Sequence, residues 1–262
     1  MGNMTIRGVD TAARINAGAA KKLAEEGVRF VGRYLVPQTL GKALSAGEAS
    51  DLHGAGLAIL PVWEIDAERA SKGAAQGAKD GETARKCAEA LSIPENVTIY
   101  FAVDYNAPVR DYDAIEYYLR NAGVACSPYG CGIYGKRDLV EEMVRRIPTL
   151  YIWQCVAWSA GVSERADVYQ YQWQGGAEAV DLKNKLGFAV DMNVCADMVH
   201  AGLWLPGAKR PWYADAMDWI KEEGLMMDGR PNDPVTRAEL AMVLYRKFGP
   251  EDDKPLGGLV AD

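Results

Sequence analysis

The feature that most constrains this chain is a recurrence. A short apolar run rich in β-formers is followed by a helical or turn-rich stretch, eight times over in about the first 200 residues. The runs are TIRGVD (5–10), VRFVGRYL (28–35), GLAILPVWE (56–64), VTIYFAVDY (97–105), YGCGIYG (129–135), LYIWQCVAW (150–158), DVYQYQWQ (167–174) and LGFAVDMNV (186–194). Helical periodicity falls between them at 16–26, 45–56, 72–91, 111–122 and 136–147. In the second of these Ser45 is placed as N-cap, with Glu48 at the capping-box position. The sixth and seventh runs are joined by a short, poorly helical segment. Strands alternating with helices predict an α/β fold, with a parallel sheet covered by helices.

An open, doubly wound sheet satisfies the strand count equally well. The closed (β/α)8 barrel is favoured by where the polar residues stand. Asp10, Arg33, Glu64, Asp104, Gln154, Gln172 and Asp191 all fall at the C-terminal ends of predicted strands, the face on which barrel enzymes build their sites. Seven strand ends carrying such groups are hard to explain by stability alone. Carboxylates converging there suit glycosidic hydrolysis, which needs a protonated carboxyl for the leaving oxygen and a second group to support the developing positive charge. Asp104 follows the apolar run IYFAV, where desolvation would raise its pKa. Aromatic residues at or beside strand ends, among them Tyr34, Trp63, Tyr105, Tyr134 and Trp153, are of the kind on which the apolar faces of sugar rings stack. Core packing between barrel and helices is the competing account for about half of them.

Other chemistries find less support. The formal charge of −7 argues against a nucleic-acid partner, which needs a basic face. There are two histidines, His53 and His200, with no zinc-ligand spacing, so no metal or cofactor is expected and a zinc amidase is disfavoured. The five cysteines are scattered and odd in number, without a disulfide framework; Cys126 and Cys131 read as a reduced, partly buried pair. No run approaches a membrane span, and MGNMTIRGVD lacks the features of a signal peptide. The expectation is a chain made in the cytoplasm.

The ordered motifs GVDT, FVGRYL, KALSAGEASDLHGAGLAILPVWE, IYFAVDY, YGKRDLV and AVDMNV resemble a glycoside-hydrolase-like barrel family, first catalogued as a domain of unknown function and related to the lysozymes of glycoside hydrolase family 25. The resemblance covers about 200 residues. It implies that Asp10 matches an acid at strand one, Asp191 an acid closing strand eight, and Asp104 the second of two strand-four carboxylates, the proton donor. The first of those two carboxylates is replaced by Ala102, which leaves Glu64 or Asp10 to take its part. The implied catalytic set is Asp104, Glu64, Asp10 and Asp191. From strand-end position and stacking chemistry, the expected substrate-binding set is Arg33, Tyr34, Trp63, Tyr105, Tyr134, Trp153, Gln154 and Gln172.

A Pro/Gly-rich break at GLWLPGAKRP (202–211) sets residues 1–205 apart from 206–262. Beyond it, WYADAMDWIKEEGL and VTRAELAMVLYRKF (235–248) read as two amphipathic helices, the second N-capped by Thr236 with Glu239 completing a capping box. This pair resembles an S-layer homology module, which implies binding of a secondary cell-wall polymer through Arg237. The combined expectation is an endolysin of phage type. It would reach the wall through a holin-type pore and cut the glycan strand of peptidoglycan in the manner of a muramidase. Its alternatives are a catalytically silent, glycan-binding barrel and, less favoured, a peptidoglycan amidase.

Overall fold

The structure, a computed structural model, describes residues 4–207. Eight strands close into a barrel in sequence order: β1 (Ile6–Asp10), β2 (Phe30–Tyr34), β3 (Ala58–Trp63), β4 (Thr98–Ala102), β5 (Gly130–Lys136), β6 (Tyr151–Cys155), β7 (Val168–Gln172) and β8 (Asp191–Cys195). Six helices accompany them: α1 (Ala17–Glu25), α2 (Ala46–Gly54), α3 (Ala74–Ala90), α4 (Tyr112–Cys126), α5 (Arg137–Arg146) and α6 (Ala177–Leu186). The closed α/β barrel expected from the strand ends is the fold observed. The expected module at 206–262, with Arg237, lies outside the described residues.

One strand departs from the all-parallel expectation. β1 to β7 pair in parallel, but β8 runs antiparallel to both β1 and β7, with Asp10 opposite Asp191. The cause lies in the connection. α6, which the sequence reading did not anticipate, ends in a left-handed turn at Gly187, and β8 then enters the barrel from the mouth. Asp191 therefore opens its strand rather than closing it, and reaches the same end of the barrel by the reversed direction. No helix forms between β6 and β7.

Residues that alternate along each strand divide between two cores. Val9, Val31, Ile59, Phe101, Ile133, Ile152 and Met192 face the helices. Phe30, Leu60, Tyr100, Trp153, Val168 and Cys195 fill the barrel. Bulky interior rings need empty space beside them, and glycine provides it. A Cβ on Gly8 would lie 2.2 Å from the Phe30 ring, and one on Gly132 would lie 2.5 Å from that of Tyr100.

After β8 the chain folds across the opposite end. Trp204 bridges Ile59, Thr98 donates its N–H to the Gly202 carbonyl, and the Tyr100 hydroxyl donates to the Ala201 carbonyl. Ala201 and Leu203 pack among the interior residues, so the chain after β8 covers the end of the barrel opposite the mouth.

The helix layer is pinned by ion pairs. Arg33 faces outward because it is one residue out of phase with inward Tyr34. It is fully buried, with Nε 2.7 Å from Glu48 Oε1, and it donates to the Thr11 and Lys42 carbonyls. Ser45 caps α2 as expected by accepting from the Glu48 N–H. Glu48 does not complete a capping box, because its carboxylate is engaged by Arg33 and the Ile15 N–H. All five cysteines are free thiols.

Candidate active site

The period of two decides which strand-end residues reach the mouth. Asp10 (β1), Tyr34 (β2), Val62 and Glu64 (β3 and just beyond), Asp104 (two residues past β4), Tyr134 (β5), Trp153 (β6), Gln170 (β7) and Asp191 (β8) line one cavity with Ala157 and Trp173. A second cavity shares Asp10, Tyr34 and Asp191 and continues over Thr11, Ala12, Ala13 and Gln174. Together they form a groove across the mouth rather than a closed hole. All four acids singled out in the sequence stand on it.

Their surroundings differ. One oxygen of Asp10, Oδ2, accepts from Asn193 Nδ2 at 2.7 Å and Gln170 Nε2 at 3.0 Å. The same Gln170 nitrogen reaches Asp191 Oδ2 at 3.2 Å, so two carboxylates share one neutral donor. Gln170 is held by the Tyr134 hydroxyl, which donates to its Oε1 at 3.0 Å, and Asn193 by the Trp153 indole N–H at 2.9 Å. Desolvation, then the nearby charge of Asp191, pushes the Asp10 carboxyl up to about 7, against the lowering effect of the two amides. Asp191 is also raised, chiefly by burial, with Asp104 adding to it.

Asp104 is raised by desolvation and by the charge of Glu64, with Lys42 working the other way. Among the described residues no donor is hydrogen-bonded to its carboxyl; only its backbone is tied, N–H to the Ala67 carbonyl at 3.2 Å. Glu64 has a cationic neighbour, Lys42, whose Nζ lies 2.9 Å from Oε1 and 4.1 Å from the centroid of the Tyr34 ring. Ala102 lies on the inward face of β4, two residues before Asp104, so the position at which the family resemblance implies a carboxylate is a methyl in the barrel interior.

Five expected ligand-binding residues do not reach the cavity. Arg33 is committed to Glu48. Trp63 is out of phase with Glu64 and packs between barrel and helices. Gln154, also outward, braces the loop after β6 by donating to the Gly161 carbonyl and accepting from the Ser163 N–H. Tyr105 donates its hydroxyl to Asp111. Gln172 accepts from the Ala179 N–H near the start of α6. Tyr34, Tyr134 and Trp153 do line the cavity. Gln170, Asn193 and Lys42 were not singled out. For the first two the signal was available, since they are polar residues on the inward phase of otherwise packed strands. Among the described residues no group of three or more His, Cys, Asp or Glu is placed to hold a metal ion.

Comparison with known proteins agrees with this architecture. Residues 21–195 match the Rv2525c-like, glycoside hydrolase-like domain. FadG of Bacillus subtilis (strain 168) is 30% identical over 264 residues; the match takes in 93% of this chain, which spans only 45% of the length of FadG. Among solved structures, the Tat-secreted protein Rv2525c of Mycobacterium tuberculosis in complex with L-tartrate superposes with a TM-score of 0.64 at 22% identity, over 76% of this chain and 98% of that one. The modular autolysin LytC of Streptococcus pneumoniae, in complex with a synthetic peptidoglycan ligand, superposes with a TM-score of 0.51 at 13% identity, over 72% and 46% of the two chains. At these identities the structural matches establish the barrel and nothing finer.

Proposed function

The chain belongs to the Rv2525c-like, glycoside hydrolase-like domain family, and from that premise we propose that it hydrolyses glycosidic bonds in the glycan strand of bacterial peptidoglycan. The observation that carries the reading is the convergence of Asp10, Glu64, Asp104 and Asp191 on one aromatic-walled groove. Three of these carboxyls are raised above the usual range. Hydrolysis of an acetal requires one carboxyl that still holds a proton near neutral pH and another that is charged. The differing environments on this groove meet that requirement.

Asp104 is assigned as the general acid. Among the described residues no donor occupies its carboxyl oxygens, so its proton is free to meet a leaving glycosidic oxygen in the cavity. Glu64, with its Lys42 partner, and the Asp10–Asp191 pair supply negative charge around the reacting carbon. They take over from the carboxylate that Ala102 does not provide. Peptidoglycan is supported as substrate by the LytC complex, whose barrel this one resembles, and by a groove that runs on past the acids as a polymer needs. In the same reading, residues 206–262 anchor the chain to a secondary cell-wall polymer, with Arg237 as an anion contact, in an endolysin.

The test is mass spectrometry of products released from purified Gram-positive peptidoglycan. New reducing sugar ends are expected. New free amines instead would identify an amidase, and binding without any product would identify a silent glycan-binding barrel, the outcome that Ala102 favours.

A further inference from the structure

Four aromatic residues line the acid-bearing cavity, and three of them have little ring face to offer. Trp153 and Tyr134 are buried and pack edge-on against each other with centroids 4.8 Å apart. Tyr34 has one face under the Lys42 ammonium. The fourth, Trp173, lies one residue past β7 and is 62% exposed although it borders the cavity. It has no aromatic partner among the described residues.

The position of this indole is built into the backbone. The chain turns at once after β7, with the Gly176 N–H donating to the Trp173 carbonyl at 2.8 Å, and the ring folds back over Gly175. A Cβ on Gly175 would lie 2.3 Å from Cη2 and 2.4 Å from Cζ3 of the indole. Only a residue without a side chain leaves that seat open. The colliding atoms are the far end of the tryptophan, so a methyl there would move the ring rather than the backbone. A rigid aromatic with few rotors to freeze, supported from beneath and open to solvent, is the arrangement that binds flat amphipathic ligands at low entropic cost.

We propose that Trp173, seated on Gly175, is a stacking platform that holds a neutral pyranose, an N-acetylglucosamine unit, at the rim of the groove beside the reacting carboxylates. This rests on the reading that the groove takes a glycan strand. The chemistry of the wall selects the ligand. Glu64 and the Asp10–Asp191 pair repel a free carboxylate or phosphate, which disfavours an acidic sugar at this place. A polar floor also disfavours a wholly apolar guest. An N-acetylhexosamine presents C–H groups to the indole and hydroxyl and amide groups to the acids below.

The experiment uses the full 262-residue chain carrying Asp104→Asn to stop turnover, with the N-acetylglucosamine tetramer as probe and titration calorimetry as readout. Adding Trp173→Ala is expected to weaken binding about 3- to 10-fold, the range typical of one aromatic contact. Trp173→Phe should restore most of it. Gly175→Ala should weaken binding with Trp173 still present, because the ring is unseated. Tyr117→Ala, an exposed aromatic on α4, is expected to change nothing. Thermal melting confirms that each variant folds. Equal affinity with and without the Trp173 indole overturns the platform, as does a parent that does not bind the tetramer. A chain that binds the tetramer through Trp173 but releases no reducing ends keeps the platform and loses the glycosidase reading. A chain that cleaves, with KM and tetramer affinity indifferent to Trp173, keeps the reading and loses the platform.

Discussion

The acids of the helix layer and the acids of the mouth are treated in opposite ways by the same barrel. Outside the strands, Glu48 is buried against Arg33, and Asp80 accepts from Arg69 at 2.7 and 2.9 Å, from Gln76 at 2.8 Å and from the Tyr118 hydroxyl at 2.8 Å. Each has a guanidinium and further donors. At the mouth no arginine is present among the lining residues, and of the four acids only Glu64 has a cation within reach among the described residues, Lys42 at 2.9 Å. Asp10 and Asp191 share neutral amides, and among the described residues no hydrogen bond reaches the Asp104 carboxyl. A buried carboxylate without a cation is costly, and folding alone gives no reason to gather such groups. The contrast separates acids that hold the fold together from acids kept poised for protons.

The largest effect expected from breaking this contrast is at Asp104. Asp104→Asn keeps shape and hydrogen-bonding capacity but removes the titrating proton. Turnover on peptidoglycan should fall by about 10²–10⁴-fold while glycan affinity and melting temperature hold. Unchanged turnover would remove Asp104 from the acid role. On the other side of the comparison, Glu48→Gln strands the Arg33 charge in the helix layer. Stability should drop by about 3–5 kcal/mol, read in urea unfolding, and in what remains folded the pH profile of activity should keep its shape. A shifted profile would mean that the two classes of acid are not separate. Glu64→Gln is expected to act between these limits. Turnover should fall about tenfold if Glu64 shares charge stabilisation with Asp10 and Asp191, since a shared electrostatic role costs less on deletion than a sole one. No loss would leave that role to the Asp10–Asp191 pair.

How much of this was legible beforehand follows from the kind of signal each feature leaves. The barrel was readable because apolar runs and acids recur at the same phase of each unit. The four acids were readable for the same reason. The errors at Arg33, Trp63 and Gln154 are one-residue phase errors. Each is adjacent to an inward residue, namely Tyr34, Glu64 and Trp153 or Cys155, and strand alternation sends it to the helices. The reversed β8 was not readable, because LGFAVDMNV has no feature that distinguishes entry from the mouth from entry at the opposite end. The direction is set by a ten-residue α6 and the Gly187 turn. Gln170 and Asn193 were overlooked because they lie in the middle of β7 and β8 rather than at the strand ends where polar residues attract notice. They became visible only as donors between carboxylates that are distant in sequence.

The smallest expected effect tests the poised acids through stability alone, without substrate. Asp10 is held at about 7 in the folded chain, whereas an unfolded aspartate titrates near 3.9. Between those values the folded state binds more protons at Asp10 than the unfolded one, so this group's contribution to stability falls as pH rises from about 4 to about 7 and levels off above that. This is the reverse of a salt-bridged acid, which loses stability as pH falls. Asp10→Asn should remove that slope. The amide can still accept from Asn193 or Gln170, and it ends the repulsion with Asp191. The variant should therefore melt higher than the parent at pH 8, with the difference shrinking toward zero near pH 4. A parent that becomes more stable from pH 4 to 7, with Asp10→Asn destabilised at pH 8, would show Asp10 to be an ordinary structural carboxylate. The division between the two regions would then fail at the first strand.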